Sequence, residues 1–430
     1  MFPKSMSSLI IIPNKNISGE LTIPGSKSYT NRALIIAAMT EGEVKIKNPL
    51  YSDDTKAMIG CLKDLGVKIS DLENEIIVKG SVKDIKNKEY KLNARLSGTT
   101  IRFILALVCV VPGVKIITGE DALLKRPIGE LAGALKDLGA KIQYIDKAGY
   151  PPLKITSSEL SVKKTRLHGD ISSQFFSALL MVAPLTQGLE IDVMGKAIST
   201  PYIDMTISIM KYFGVEVENI DYKSYHVKAG QRYLKKDYLV EGDYSSAGYF
   251  LAIAALTKSK LILKNLSEKS LQADRNFVDI LTKLGSSILY KEDSLEITGG
   301  GIEPITIDME NCPDQAQTLA VMLAFAKGKS IITGIRSLRI KETERILALQ
   351  NELSKMGIKT ESTIDSLTIY GGNPESASIN TYNDHRMAMS FAVAGVLLKG
   401  IEIKNPEVVT KTFPDFWQKL ESIGIKTHDK

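Results

Sequence analysis

The sequence predicts an α/β fold built from six copies of one module. Three features recur at intervals of about seventy residues: an apolar stretch of helical period, an alternating strand, and an amphipathic helix that stops at a glycine. Solenoid repeats are shorter, about twenty to fifty residues, so we expect the modules to gather around closed cores. The 430 residues then suffice for two domains of three modules each.

The first helix of each module carries apolar residues behind a start of small polar residues. A glycine or a short polar turn follows it, and then an alternating strand. The helical segments are SKSYTNRALIIAAM from Ser26, SGTTIRFILALV from Ser97, DISSQFFSALLMVA from Asp170, DYSSAGYFLAIAA from Asp243, PDQAQTLAVMLAFA from Pro313 and DHRMAMSFAVAGVL from Asp384. The strands are EVKIKNP, GVKIITGE, LEIDVMG, KLILKNL, SIITGIR and IEIKNPE.

The second helix of each module is predicted to stop at a glycine, which sets the domain boundaries. We expect one domain over residues 25–242 and a second over 243–430. Residues 1–24 contain the strand-like LIIIPNKNISGELTI, so we expect them to complete the last module and join the second domain, with a hinge near 24 and 242. The stop glycines are Gly66, Gly139, Gly214, Gly285, Gly357 and Gly424.

Composition excludes several classes of protein. The apolar run near the N-terminus is too short for a signal peptide or a membrane span, which predicts a cytoplasmic protein. The net charge of +6 is spread along the chain, which argues against a nucleic-acid-binding tail and leaves room for a small anionic ligand. The three cysteines lack metal-like or redox-like spacing and the four histidines do not cluster, so neither disulfides nor structural zinc are expected.

The first helix starts are candidate anion sites, because free backbone N–H groups at a helix N-terminus attract anions. Helix capping explains the serine or aspartate at several of these starts equally well. Lys27, Ser28 and Arg32 in PGSKSYTNR are different, since cations beside a helix N-terminus are unfavourable unless an anion neutralises them. Lys27 therefore invites a phosphate or carboxylate; two solvated basic side chains are the alternative.

Basic residues in loops after the strands indicate a ligand set with more than one anionic group. Arginine holds carboxylate or phosphate oxygens in a bidentate fork, whereas lysine acts as a mobile point charge. Standing alone, RIKETER would be interpreted as an exposed helix start with spaced opposite charges. The basic residues are Arg126 in KRPIG, Lys341 and Arg345 in RIKETER, Arg386 in NDHRMA and Lys411 in TKTFPDF, with Arg102 and Arg339 as possible additions.

Acidic residues among these bases suggest proton transfer. Asp314 opens the PDQAQ helix and Glu342 follows Lys341, so one carboxylate could accept a hydroxyl proton while another group delivers one. The other acidic residues of these motifs are interpreted as helix caps or salt-bridge partners of the arginines; they are Asp53, Asp54, Asp243 and Asp384.

Polar residues of the third module suit a polyhydroxylated ring. They are Ser172, Ser173 and Gln174 in SSQ, with Ser199 and Tyr202 in STPYID. No nucleophilic triad, Walker loop or dinucleotide fingerprint is found.

The ordered motifs resemble those of the EPSP synthases, which belong to the enolpyruvyl transferase family. They are PGSKSYTNRA, SGTTIR, KRPIG, GDISSQF, GDYSSAGYFLAIAA, PDQAQ, RIKETER, YNDHRMAM and KTFPDFW, and they span essentially the whole chain. The resemblance implies two inside-out α/β domains, each of three βαβαββ repeats around a hinge, that close over substrates in the cleft between them. It implies transfer of the enolpyruvyl group of phosphoenolpyruvate to the 5-hydroxyl of shikimate 3-phosphate, in the shikimate pathway, by addition and elimination of phosphate.

The resemblance also implies roles for individual residues. Asp314 would accept the proton of the attacking hydroxyl, and Glu342 and Lys27 are alternative proton donors to the methylene. No metal, cofactor, nucleic acid or membrane partner is implied, and we expect a monomer. The shikimate 3-phosphate contacts would be Lys27, Ser28, Arg32, Ser172, Ser173, Gln174, Ser199, Tyr202, Asp314, Ser337 and Lys341. The phosphoenolpyruvate contacts, at the position that glyphosate mimics in this family, would be Lys27, Gly98, Arg126, Gln174, Arg345, Arg386 and Lys411.

Two positions depart from the family pattern. The family usually has Asn-Ala-Gly-Thr or Asn-Ser-Gly-Thr where this chain has Leu96-Ser97-Gly98-Thr99, so one side-chain amide is missing. Contacts by the backbone of Gly98 survive that change. An asparagine ahead of the RIKET run is Ser337 here, and its shorter hydroxyl would reach the substrate phosphate through water.

Three other functions would each account for part of these motifs. The sister UDP-N-acetylglucosamine enolpyruvyl transferase typically has Lys-Asn at Lys27-Ser28 and a loop cysteine ahead of the RP motif, where this chain reads GEDALLKRP. Cys109 lies in the apolar FILALVCVV and is interpreted as a core residue. A non-catalytic anion-binding protein would not need both Asp314 and Glu342. An RNA-end-processing enzyme would need a nucleophilic histidine and a nucleotide site, which the motifs lack.

Overall fold

The computed structural model describes residues 7–157 and 159–430, which form two compact units. The N-terminal unit is Gly25–Glu241, and the C-terminal unit joins Gly242–Lys430 to the segment before Gly25. Each unit has its own hydrophobic core and three four-stranded sheets. The predicted α/β class is confirmed.

The helices alternate with the strands along the chain. None of those in the described residues has the length and apolar run needed to cross a bilayer. The described α-helices are α1 (Lys27–Met39), α2 (Asp53–Leu65), α3 (Gly98–Val108), α4 (Asp121–Leu124), α5 (Gly129–Asp137), α6 (Ser173–Val182), α7 (Pro201–Tyr212), α8 (Tyr244–Thr257), α9 (Asn276–Lys283), α10 (Ala316–Leu323), α11 (Arg345–Lys355), α12 (His385–Gly395) and α13 (Phe416–Ser422). Short 3-10 turns are Val82–Asp84, Ala183–Leu185, Ala273–Arg275, Pro313–Gln315, Arg336–Ile340 and Pro406–Lys411.

Each predicted stop glycine follows the second helix of its module. All six have a positive φ, from 74° at Gly357 to 105° at Gly66. This left-handed conformation favours glycine because glycine has no Cβ to meet the following carbonyl oxygen. The six predicted helix ends are therefore confirmed.

The three sheets of the N-terminal unit share one pairing pattern. The first strand is parallel to the second, and the third and fourth are antiparallel to their neighbours. In spatial order the sheets are Asp237–Leu239, Glu43–Lys47, Glu75–Lys79, Lys68–Leu72; Glu89–Asn93, Val114–Thr118, Leu153–Ile155, Ile142–Tyr144; and Lys164–His168, Leu189–Met194, Ser224–Val227, Glu218–Ile220.

The C-terminal unit repeats this pattern with strands from both ends of the chain. The segment before Gly25 supplies the first strand of its first sheet and the third strand of its last sheet. The sheets are Ser18–Thr22, Lys260–Lys264, Ser294–Thr298, Ser287–Lys291; Thr306–Asp308, Gly328–Thr333, Leu367–Gly371, Lys359–Ser362; and Ser378–Ile379, Glu402–Lys404, Ser8–Ile11, Thr427–Asp429.

The first helix of each module lies in the core of its unit and the sheets lie outside. Helix α8 buries residues around its whole circumference, which is stable only inside a core. Strand Glu43–Lys47 shows the outer arrangement, because Val44 and Ile46 are buried while the residues between and beside them are exposed. This is the inside-out arrangement that the family resemblance implies, and it places the starts of the buried helices at the ends of the core.

Candidate functional site

The first helix of the N-terminal unit starts beside an ion pair. Ser26 occupies the N-cap position of α1, but its side chain makes no capping hydrogen bond. Lys27 Nζ lies 3.1 Å from Asp54 Oδ2, and the two side chains are 19% and 5% exposed. Asp54 therefore supplies an anion that a cation at a helix N-terminus requires. Asp54 was expected to be a helix cap or an arginine partner; it lies in the first turn of α2, whose cap is Ser52, and its ion-pair partner is a lysine.

Arg32 is buried in α1 and donates to four protein groups. Its Nε donates to Thr206 Oγ1 over 2.7 Å and its Nη1 to the Ser28 carbonyl over 2.9 Å. Its Nη2 donates to Ser177 Oγ over 3.2 Å and to the Tyr202 carbonyl over 3.0 Å. Burial lowers the pKa of Arg32 to about 10, so it stays charged at neutral pH. The structure thus brings the predicted contacts Ser28 and Tyr202 together around one guanidinium.

Helix α6 begins at the predicted SSQ motif. Ser172 is its N-cap, accepting from the backbone N–H of Gln174 over 3.3 Å, whereas Asp170 is exposed in the preceding turn. The expectation that Asp170 opens this helix is therefore wrong, because the cap is Ser172, two residues later. The Gln174 side chain accepts from Arg102 Nη1 over 2.5 Å and donates to Thr99 Oγ1 over 3.3 Å. These two contacts fix the amide of Gln174 beside α3.

Gly98 and Arg126 are brought into contact at the start of α3. A Cβ added to Gly98 would lie 2.7 Å from Arg126 Nη1 and 2.9 Å from its Cζ. The missing side chain therefore lets the guanidinium lie directly against the first residue of the helix. A guanidinium beside a helix N-terminus forms a positive site suited to a carboxylate or a phosphate.

Arg345 is the centre of an ion-pair cluster in the C-terminal unit. Its side chain is 2% exposed, and its Nε lies 2.7 Å from Asp384 Oδ2. Its Nη2 lies 2.8 Å from Glu342 Oε2, and its Nη1 lies 3.2 Å from Asp314 Oδ1. Burial by itself lowers the pKa of Arg345, but the charges of the three carboxylates outweigh it and hold that pKa above its usual value. The guanidinium is therefore a permanent charge.

Asp314 is also held by other cations. Its Oδ2 lies 3.1 Å from Arg386 Nη2 and its Oδ1 lies 3.5 Å from Lys341 Nζ. Arg386 Nη1 donates to the Asp314 carbonyl over 3.2 Å and to Tyr249 Oη over 3.3 Å. Burial raises the pKa of Tyr249 to about 12, so this hydroxyl keeps its proton. Asp314 lies in the 3-10 turn Pro313–Gln315, so the α-helix that it was expected to open begins only after that turn, at Ala316.

Glu342 links Arg345 to a second cation. Its Oε1 accepts from Lys411 Nζ over 2.8 Å, and the Lys411 side chain is only 9% exposed. Asp384 caps α12 by accepting from the backbone N–H of Arg386 over 2.9 Å, and it binds Arg345 as well. The sequence suggested a helix cap or an arginine partner for Asp384, and Asp384 has both roles.

The remaining predicted residues lie near helix or turn starts. Ser173 is buried in the first turn of α6. Ser199 has a left-handed backbone, with φ of 52°, just before α7. Ser337 is partly exposed in the turn Arg336–Ile340.

Asp274 was not predicted and is buried close to the charge of Asp314. It lies in the turn Ala273–Arg275, and its Oδ2 accepts from the hydroxyl of Ser245. Burial, followed by the charge of Asp314, raises the pKa of Asp274 to about 6, against opposing effects of Arg386 and the Ser245 hydrogen bond. Its sequence context, QADRN, resembles an ordinary polar helix start and gives no signal of burial.

Asp274→Asn is expected to raise the free energy of unfolding above that of the parent at pH 8. At pH 5 the increase should be much smaller. The Asp274 pKa moves from 3.8 unfolded to about 6 folded. The folded protein therefore gains stability from the proton on the Asp274 carboxyl below about pH 4, and it loses that stability as the pH rises through 6. The loss in the free energy of unfolding is about 3 kcal/mol at most. Thermal unfolding at both pH values measures the difference.

Asp279→Asn is the control, because the Asp279 side chain is 57% exposed and its ion pair with Arg275 is long, at 3.7 Å. A pH-independent effect of Asp274→Asn, equal to that of the control, would contradict the shifted pKa.

Comparison with known proteins gives one family. A model of EPSP synthase (3-phosphoshikimate 1-carboxyvinyltransferase) matches residues 11–420. The 3-phosphoshikimate 1-carboxyvinyltransferase of Sulfurovum sp. (strain NBC37-1) is 42% identical over 425 residues, which are 97% of this chain and 100% of that protein. The one from Mannheimia haemolytica is 40% identical over 433 residues, 98% of this chain and 100% of that protein.

A solved structure shows the same fold. EPSP synthase from Acinetobacter baumannii superposes with a TM-score of 0.83 at 24% identity, covering 99% of this chain and 100% of that one. At this identity the likeness concerns the fold alone.

Proposed function

Because the chain belongs to the EPSP synthase family, we propose that its clustered acidic and basic residues bind and activate the two substrates of that family. The chain catalyses enolpyruvyl transfer from phosphoenolpyruvate to shikimate 3-phosphate, a step of the shikimate pathway. The observation that carries the assignment is the cluster around Asp314 and Glu342, in which each carboxylate is bracketed by cations.

We propose that the reaction takes place in the cytoplasm, in a monomer, without a metal or cofactor. The separate hydrophobic core of each unit, formed within one chain, supports a monomer.

The shikimate 3-phosphate contacts are proposed to combine hydroxyl, amide and cationic side chains. The network around Arg32 supports them, because it sets the backbone positions of Ser28 and Tyr202. Hydroxyl and amide groups suit a ring with several hydroxyls, and the cations suit its phosphate. The proposed contacts are Lys27, Ser28, Arg32, Ser172, Ser173, Gln174, Ser199, Tyr202, Asp314, Ser337 and Lys341.

Phosphoenolpyruvate carries a carboxylate and a phosphate, so its contacts are proposed to be mostly cationic. The Arg126 guanidinium against Gly98 supports one anion position. Lys411 and Arg386 are buried cations of the ion-pair cluster around Arg345. The proposed contacts are Lys27, Gly98, Arg126, Gln174, Arg345, Arg386 and Lys411.

We propose that Asp314 takes the proton of the attacking 5-hydroxyl as its oxygen bonds to C2 of phosphoenolpyruvate. The methylene carbon gains a proton at the same stage, from Glu342 or Lys27, which gives a tetrahedral intermediate with a methyl group. Elimination then returns a proton from that methyl group and releases phosphate. The surrounding cations stabilise the charge on the phosphate and carboxylate as it moves, which is where electrostatic catalysis is largest.

Arg126→Met is expected to lower kcat/KM for phosphoenolpyruvate by roughly a hundredfold or more, because a charge-assisted pair with the substrate is lost. The affinity for shikimate 3-phosphate should change less than about threefold, which is about 0.7 kcal/mol. Phosphate release measures the first quantity and titration calorimetry the second.

Lys125→Met is the matched control, since Lys125 is the exposed neighbour of Arg126. Equal losses for the two substrates in Arg126→Met would show that this subsite is assigned wrongly.

A further inference from the structure

Two buried hydroxyls, neither of them among the proposed substrate contacts, hold the guanidinium of Arg32. Thr206 Oγ1 accepts from Arg32 Nε over 2.7 Å, and Ser177 Oγ accepts from Nη2 over 3.2 Å. Both hydroxyl residues are 0% exposed. The Thr206 hydroxyl has one proton, which it donates to Ser177 Oγ at 2.8 Å or to the Tyr202 carbonyl at 3.0 Å.

This arrangement joins three helices of the N-terminal unit through one charge. Arg32 belongs to α1, Ser177 to α6 and Thr206 to α7. A buried guanidinium is stable only where its N–H groups have acceptors, so the two hydroxyls determine the orientation that the arginine adopts. In that orientation its other donors reach the carbonyls of Ser28 and Tyr202.

We propose that Thr206 and Ser177 are positioning residues for shikimate 3-phosphate: they orient Arg32, and Arg32 holds the backbone of Ser28 and Tyr202 in the binding geometry. The inference rests on the proposed assignment of Ser28 and Tyr202 to that substrate. Both hydroxyl residues are 0% exposed, so their effect on the substrate passes through the arginine.

Thr206→Val keeps the shape of the side chain and removes the acceptor for Arg32 Nε. We expect the KM for shikimate 3-phosphate to rise roughly tenfold, the effect of one unpaired buried donor. The KM for phosphoenolpyruvate and kcat should change less than about twofold, since the chemical groups are untouched. Ser177→Ala should produce a smaller rise, because its contact with Arg32 is the longer one.

Thr206→Ser is the rescue variant, since it restores the hydroxyl and should return the KM to near the parent value. Ser208→Ala is the control on the same helix, because Ser208 is exposed. If Thr206→Val does not fold, Ser177→Ala still decides the outcome: the shikimate 3-phosphate KM must rise while the phosphoenolpyruvate KM does not.

The proposal is overturned by an unchanged shikimate 3-phosphate KM in folded Thr206→Val, or by equal rises for both substrates. Ser28→Ala and Tyr202→Phe separate this from a failure of the proposed function. If those two variants also leave the shikimate 3-phosphate KM unchanged, the substrate assignment itself is wrong.

Discussion

Arg345→Met is expected to lower the free energy of unfolding by about 3–5 kcal/mol and to abolish activity. The arginine is the shared partner of Asp384, Glu342 and Asp314, and Asp384 is 0% exposed. Removing it leaves buried carboxylates in mutual repulsion and without that counter-ion. Chemical denaturation measures the loss, which should shrink at acid pH because the carboxylates become protonated.

Arg336→Met is the control, because Arg336 is an exposed arginine of the preceding turn. Adding Asp384→Asn to Arg345→Met should recover part of the stability without recovering activity, since it removes one of the uncompensated charges. A loss no larger than that of Arg336→Met would mean that the cluster is solvated and contributes little to folding.

Asp314→Asn is expected to lower turnover by a factor of roughly 10² or more, because the amide cannot accept the hydroxyl proton. The fold should survive: the amide oxygen still accepts from a cation, and Arg345 and Arg386 retain Asp384, Glu342 and the Asp314 carbonyl as partners. Phosphate release with both substrates measures turnover, and thermal unfolding checks the fold.

Asp415→Asn provides the comparison, since Asp415 is 49% exposed and lies 3.8 Å from its partner Lys419. A folded Asp314→Asn enzyme with close to the parent turnover would remove Asp314 as proton acceptor. Glu342, held between Arg345 and Lys411, would then be the leading candidate.

The modules could be predicted because their signals are local. Apolar spacing marks the buried helices, and glycines such as Gly66 mark helix ends that only a residue without Cβ forms easily. The sheet to which strand Ser18–Thr22 belongs could not be predicted, because only one residue of its sequence SGELT is buried. Its strand conformation depends on pairing with Lys260–Lys264, far away in the sequence.

The site residues could be predicted as residue types, but most of their partners could not. Charged motifs identified Arg345 and Lys411 directly. The pairing of Lys27 with Asp54 and the burial of Asp274 depend on contacts between separate elements, which no local pattern encodes. Thr206 was missed for the same reason, since a threonine inside an apolar helix is usually bonded to its own backbone.

The pairing of the chain's first strand has a consequence for synthesis on the ribosome. Ser8–Ile11 lies between Glu402–Lys404 and Thr427–Asp429, so its partners are made only after the whole of the N-terminal unit. Gly25–Glu241, by contrast, contains every strand of its three sheets in one continuous stretch. The N-terminal unit can therefore finish folding while translation continues, whereas the C-terminal unit can close its last sheet only after Thr427–Asp429 has left the ribosome.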